Sequence, residues 1–374
     1  MDAQVPTQEV LAAVTRRAVL GAATATALLP AAAAARGSAP AGGVAALIEW
    51  DHFKTRFLTR DGRVVDNING HVSHSEGQGF AMLLAVRFDD QETFRRLLNW
   101  TRGNLSRPTD SLYAWCFRPG EPGGRPGDRN NATDGDLMIA WALTEAAEKW
   151  SQPGLRLLAA ATARDILARM TVQAGERTYL LPGSEGFLDH TAVTTNPSYY
   201  IYPAFQALRA VAPSPVWAQL EATGLRLART ARFGRFGLIA DWVAVARNGS
   251  GLPGLAPRHP ARFSYDACRV PLYMVWGGFG AEPMVEAAAK FWHDPSFRQM
   301  PAWTDLRTGV TSSYAADPGI AAIARLAAIG SGQRQVSRGP EAAIRPEAYY
   351  ASVLRLLVRA ATADTQGSLI IASR

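Results

Sequence analysis

Apolar residues recur at three- and four-residue spacing along almost the whole chain from residue 44 onward. That period is the signature of amphipathic helices, and it constrains the fold more than any single motif. It is carried by segments such as GQGFAMLLAVRF, DLMIAWALTEAAEKW, LRLLAAATARDILARM, PVWAQLEATGLRLARTA and PEAYYASVLRLLVRAA. Loops rich in Gly, Pro and Asp separate them, the longest being FRPGEPGGRPGDRNN at 117–131. Alternating, strand-like patterns are few and short, in RTYLLPG and GLIADWVAV. No Pro/Gly/Ser-rich linker divides the chain after its first 41 residues, so the pattern predicts one all-α domain over 42–374.

A second regularity lies on top of the first. Polar sites at a loop-to-helix junction recur at Glu76, Asp134, Ser198 and Asp266, at intervals of 58, 64 and 68 residues. Two helices of about 11–12 residues, with short connections, need roughly that length. The four sites then stand at the start of every second helix. A closed ring of helical hairpins would gather those starts at one end of its inner layer.

Composition narrows the remaining choices. A chain that is 48% hydrophobic and 19% charged is globular rather than disordered. The net charge is +7, but the arginines are spread from Arg16 to Arg374 without a dense run, which argues against nucleic acid as a partner. At the N-terminus, VTRRAVLGAATATALLPAAAAARGSAPAGG sets Arg16 and Arg17 before a mild, Ala-rich apolar run. Residues 1–41 therefore read as a cleavable export signal of the twin-arginine type, and the mature protein as periplasmic or secreted. The run is interrupted by Gly21 and Pro30 and is too weakly apolar for a stable membrane anchor. Cys116 and Cys268 lie too far apart in sequence to give a disulfide framework, so two buried thiols are expected.

The chemistry-bearing residues are mainly carboxylates and aromatics. In ATDGDLMIAWAL, Asp134 and Asp136 flank Gly135 at a helix start, where a carboxylate stabilises the orphan N–H groups and the dipole. Local sequence favours that reading; chemistry at Asp134 needs partners from elsewhere. In HVSHSEGQGF, Glu76 precedes a strongly apolar helix, where partial desolvation would suit a general acid. His71 and His74 make H-x-x-H, without the third ligand a metal site needs. In ARFSYDACRVP, Tyr265, Asp266 and Arg269 fall within five residues, so Arg269 can share a face with Asp266 and keep it ionised as a base, with Tyr265 orienting it. Asn196, Ser198 and Tyr199 in NPSYYIYPAF, Trp115 in LYAWCF, and Asp241 and Trp242 in IADWV supply rims and platforms suited to a sugar. No G-x-S-x-G elbow, phosphate-binding loop or dinucleotide fingerprint is present. Carboxylates, aromatics and no cofactor signature are the equipment of glycoside hydrolysis.

These segments resemble glycoside hydrolase family 8. ATDGDLMIAWALTEAAEKW resembles its signature, SEGQGFAMLLA its general-acid segment and SYDACRVP its base segment. With LLPGSEGF, NPSYYIYPAF and ADWV in the same order, the chain resembles most closely the periplasmic cellulases encoded with bacterial cellulose synthase. The likeness spans about residues 45–360, and Thr144 is the one visible departure, on the helix and away from the carboxylates. It implies an (α/α)6 barrel of six inner and six outer helices, an inverting endo-β-1,4-glucanase, and no cofactor or metal. Its substrate would be a β-1,4-glucan chain, and the cellulose synthase export machinery a candidate partner. By the same resemblance Glu76 is the acid, Asp266 the base and Asp134 the carboxylate that holds the distorted sugar. Tyr265 and Arg269 are the flanking partners, and Trp115, Asn196, Ser198, Tyr199 and Trp242 are candidate sugar contacts. Chitosanase, lichenase or xylanase activity is the nearest alternative, and a non-catalytic glycan-binding protein the more distant one.

Overall fold

The structure, a computed structural model, describes residues 43–120, 127–333 and 348–372. The export-signal reading of residues 1–41 falls outside them. Among the described residues eleven α-helices are formed: α1 (Gly43–Phe57), α2 (Ser75–Arg87), α3 (Gln91–Leu105), α4 (Thr133–Lys149), α5 (Pro153–Arg169), α6 (Tyr202–Leu208), α7 (Val216–Thr230), α8 (Arg269–Trp276), α9 (Pro283–Trp292), α10 (Pro318–Gly330) and α11 (Tyr349–Ala372).

Two kinds of helix alternate along the chain from α1 to α10. In α2 the residues from Gly77 to Val86 are all buried, and in α4 so are those from Thr133 to Thr144. A helix buried on every side belongs to an inner layer. Helix α3 buries one stripe only, Thr93, Phe94, Leu97, Leu98, Trp100, Thr101 and Leu105, and α7 does the same with Trp217, Leu220, Thr223, Gly224, Leu227 and Ala228. Their other faces meet water. The inner helices pack in a closed circuit: α2 on α4, α4 on α6, α6 on α8, α8 on α10, α10 on α11 and α11 back on α2. Around them, α3 lies on α2, α5 on α4, α7 on α6, α9 on α8 and α10, and α1 on α11. The expected ring of six inner helices is therefore formed, with five outer ones among the described residues. Chain stiffening at the helix starts comes from Asp90 and Asp317, whose side chains accept from Thr93 N and Ile320 N, and from Pro153, Pro283 and Pro318 in the first helical turn.

Short antiparallel ladders cover one end of the ring. Ser73–His74 pairs with Cys116–Phe117 and runs directly into α2. Ala192–Thr195 pairs with Val243–Ala246, placing Asn196 and the 3-10 turn Pro197–Tyr199 ahead of α6. Arg262–Phe263 pairs with Thr304–Asp305 and leads to Asp266 ahead of α8. A fourth ladder, Thr171–Ala174 with Arg177–Leu180, joins α5 to the same end. The first three ladders thus fix the approaches to inner helix starts. No helix among the described residues is long and apolar enough to cross a membrane. Cys116 and Cys268 are both buried and are not bridged to each other.

Glycine sets how close α2 and α4 come. A Cβ on Gly135 would stand 2.2 Å from Ser75 Oγ and 2.7 Å from Glu76 N, and one on Gly79 would stand 2.6 Å from Met138 Cβ. The glycine between the two aspartates is therefore the contact that brings the start of α4 against the start of α2. Gly135→Ala should cost about 1–3 kcal/mol through overpacking and also lower activity, because it drives Asp134 and Glu76 apart. Gly154→Ala on α5, where an added Cβ meets nothing within 4 Å, should leave thermal stability equal or slightly higher. Melting temperatures of the two variants, with activity assays alongside, check this pair of outcomes.

Candidate active site

The ring brings the four recurring sites to one end. Glu76 lies in the first turn of α2 and Asp134 in the first turn of α4, so both carboxylates sit at the positive ends of helix dipoles. Ser198 lies in the 3-10 turn before α6, and Asp266 in the turn before α8, whose first residue is Arg269.

Arg269 joins all four. Its Nη1 pairs with Glu76 Oε1. Its Nη2 lies 3.0 Å from Asp266 Oδ1, donates to Ser198 Oγ at 3.0 Å, and reaches Asp134 Oδ2 at 3.4 Å. The Arg269 side chain is only 3% exposed. Asp134 is almost as deep, at 5%, whereas Glu76 keeps 20% and Asp266 33% of its side chain open. Glu76 and Asp266 are therefore partly open to solvent, and Asp134 lies deeper. Asn196 supports the group: its Oδ1 accepts from Ser198 N at 3.0 Å and from Ser198 Oγ at 2.8 Å. The Tyr199 hydroxyl bonds Asp134.

Burial dominates the electrostatics. It pushes Asp134 up to about 7, against the opposing bonds from the Gly135 N–H and the Tyr199 hydroxyl. Asp266 is raised well above the usual carboxylate range by burial and by the charges of Asp241 and Asp134. The sequence expectation that Arg269 keeps Asp266 ionised is therefore corrected, because burial and two neighbouring carboxylates oppose the guanidinium. One cation cannot neutralise this cluster in a desolvated site, so the group retains protons near neutral pH.

Two aspartates act on the backbone. Asp241 accepts from Ser264 N at 2.9 Å, from Ala267 N at 2.8 Å and from Ser264 Oγ, holding the turn that carries Asp266. Sequence reasoning offered Asp241 only as a sugar-binding candidate, since a partner 23 to 26 residues away leaves no local signal. Asp136 corrects the helix-start reading. The N-cap of α4 is Ala132, and Asp136 accepts from Tyr113 N at 2.8 Å and Asn131 Nδ2 at 2.8 Å. It ties two loops to the inner ring, and its burial raises it to about 8.

The candidate tryptophans are both stacked on other rings. The backbone carbonyl of Trp115 accepts from Ser75 N at 3.0 Å, its ring stacks on His74 at 5.8 Å, and its Nε1 donates to Asp128 at 2.7 Å. His74 thus backs a platform, and burial lowers its proton affinity. Trp242 is stacked on His259 at 4.3 Å and on Phe187 at 5.6 Å, with Tyr199 tilted against it at 6.4 Å. Tyr265 departs from expectation: its hydroxyl lies 3.3 Å from that of Tyr314, while Arg269 donates to the Asp266 carboxylate. Among the described residues, no group of three or more His, Cys, Asp or Glu side chains is placed to hold a metal ion.

A sequence profile of the glycosyl hydrolases family 8 matches residues 18–364. The chain belongs to glycosyl hydrolase family 8. A probable endoglucanase of Novacetimonas hansenii is 39% identical over 320 residues, covering 86% of this chain and 92% of that protein. An endoglucanase of Cellulomonas uda is 36% identical over 74% of this chain and 76% of its own length. Among solved structures, the endo-beta-1,4-glucanase CMCax from Acetobacter xylinum superimposes with a TM-score of 0.78 at 37% identity, over 88% of this chain and all of that one. A β-1,3-1,4-glucanase from Paenibacillus sp. X4 shares the fold at 18% identity and a TM-score of 0.67. The ring is accordingly the (α/α)6 barrel of family 8, and the protein is a glycoside hydrolase.

The buried carboxyls set a pH dependence of stability. Asp134 and Asp136 bind protons more tightly folded than unfolded, so their stabilisation is complete below about 4 and is lost as pH rises through about 7 and about 8. Melting temperatures of the free enzyme should fall between pH 4 and 8, and Asp136→Asn should flatten that slope. An unchanged slope in the variant would contradict the assignment.

Proposed function

We propose that this family 8 hydrolase is an endo-β-1,4-glucanase that cleaves cellulose-like chains with inversion. The observation that carries the reading is the Arg269 cluster: Glu76 and Asp266 are open to the cleft, Asp134 lies beneath them, and Trp115, Tyr199 and Trp242 supply aromatic walls. The endoglucanase names of the relatives support the choice of substrate.

In this mechanism protonated Glu76 gives its proton to the glycosidic oxygen as the bond to the anomeric carbon breaks. Asp266 takes a proton from a water that attacks that carbon from the opposite face. Asp134 and Tyr199 form the floor against which the distorted sugar is held through its hydroxyls. Arg269 aligns the three carboxylates and stabilises negative charge left on Glu76 after proton transfer. No cofactor is needed in this scheme.

The N-terminal twin-arginine segment and the resemblance to cellulases encoded with cellulose synthase support export to the periplasm or beyond, with residues 42–374 as the mature catalytic domain. They also support a role in trimming newly made glucan beside the export machinery.

Reducing-end assays on carboxymethylcellulose, xylan and chitosan test the substrate, with the first expected to be cleaved fastest. Glu76→Gln and Asp266→Asn should each lower kcat by about 100-fold or more while cello-oligosaccharide binding survives. Wild-type-like turnover in either variant would overturn the assignment of roles.

A further inference from the structure

A small cavity with two arginines in its wall contains none of the residues of the Arg269 cluster. It is formed by the strand Arg177–Leu180, the outer helix α7, the end of the strand Val243–Ala246 and the loop after it. Arg177, Tyr179, Thr223 and Arg226 give it polar walls, with Ser250 and Leu252 on the loop side. Its volume is about 20 Å³, against the roughly 10–15 Å³ that one water needs, so it takes a group of carboxylate size and no sugar ring. The loop is held in place: Gly175 N donates to the Arg247 carbonyl at 3.2 Å, and Ser250 N to Asn248 Oδ1 at 3.0 Å.

Charge is unbalanced here. On and beside α7, Arg209 pairs with Glu221 and Arg229 with Glu282. Among the described residues no carboxylate forms an ion pair with Arg177 or Arg226. Tyr179 is only 6% exposed, yet no described residue bonds its hydroxyl. A buried phenol normally has a hydrogen-bond partner. Burial raises the Tyr179 hydroxyl above its ordinary range, and the nearby charges of Arg177 and Arg226 oppose that rise. Two like charges and a phenol O–H therefore converge on one cavity as donors, which is the equipment for an oxyanion. The flat, two-oxygen head of a carboxylate suits so small a volume better than a tetrahedral phosphate does.

We propose that this cavity binds the carboxylate of an acidic sugar, a uronate unit carried on a polysaccharide. The carboxylate enters between Arg177 and Arg226 and accepts from the Tyr179 hydroxyl. The sugar ring stays outside, where Leu252, 74% exposed, offers an apolar contact and Ser250 a hydroxyl. The strand Val243–Ala246 leads from Trp242 to the cavity, a span of about 10 Å, so an acidic substituent of a glucan in the cleft is within reach of it. That link to the cleft rests on the glucanase reading, whereas the carboxylate site itself does not.

Calorimetric titration of glucuronate, acetate and inorganic phosphate into wild type, Arg226→Ala and Tyr179→Phe tests the site. Glucuronate should bind wild type the tightest of the three, and about tenfold or more weakly in Arg226→Ala, with a smaller loss in Tyr179→Phe. Added salt should weaken it as well. Kinetics then read the link to the cleft. On a β-1,4-glucan partly oxidised at C6 to glucuronate, Arg226→Ala should raise KM several-fold, while kcat/KM on neutral cellohexaose stays at the wild-type value. Acetate or phosphate binding as tightly as glucuronate, or an unchanged Kd in Arg226→Ala, would overturn the proposal. So would an equal loss on both glucans, or none on the oxidised one. A wild type that cuts neither glucan would instead overturn the glucanase reading, and the titration alone would then decide the carboxylate site.

Discussion

One buried guanidinium organises the molecule. Arg269 contacts Glu76, Asp134, Ser198 and Asp266, which lie at the starts of four inner helices and are separated from it by as many as 193 positions in the chain. Those starts meet only if the ring closes, so α11 must return to α2 before the cluster can exist. The dependence runs both ways. A buried charge stripped of its partners costs about 3–5 kcal/mol, so an incompletely closed ring carries an electrostatic penalty at its centre. The glycines at 79 and 135 add the steric half of the condition, since only they let α2 and α4 approach closely enough for Glu76 and Asp134 to share one cation.

The same cluster explains how like groups take different tasks. Burial raises proton affinity in Asp134, Asp136, Asp241 and Asp266, and a single nearby cation does not cancel it. Exposure and hydrogen bonding then sort them. Asp136 and Asp241 use their oxygens on backbone N–H groups or loop side chains, and hold the loops that shape the cleft. Asp134 is deep and bonded to Tyr199. Glu76 and Asp266 reach the open cleft. A hydrolase that needs a protonated carboxyl at neutral pH can draw on a site that is short of positive charge.

Much of this was legible in the sequence. The helical period gave the all-α class, and the spacing of Glu76, Asp134, Ser198 and Asp266 pointed to a ring whose alternate helix starts converge. What escaped depends on partners far along the chain. The ladders that aim Glu76 and Asp266 are two residues long, too short to show a period of two. Asp136 reads locally as a helix-start carboxylate, because its partners Tyr113 and Asn131 precede the helix in loops. Tyr265 sits next to Asp266 in sequence, yet backbone geometry turns its hydroxyl to Tyr314. The steric role of Gly135 is equally silent in sequence, since it depends on Ser75 across the helix interface.

The central claim is that Glu76 and Asp266 work from opposite faces of the sugar, with a water between Asp266 and the anomeric carbon. Proton NMR of the anomeric signals in the first minutes of cellohexaose hydrolysis tests it most directly. Inversion of a β-linkage releases the α-anomer first, with the β-anomer growing only by mutarotation. Initial release of the β-anomer would mean a covalent glycosyl-enzyme, and would contradict the account.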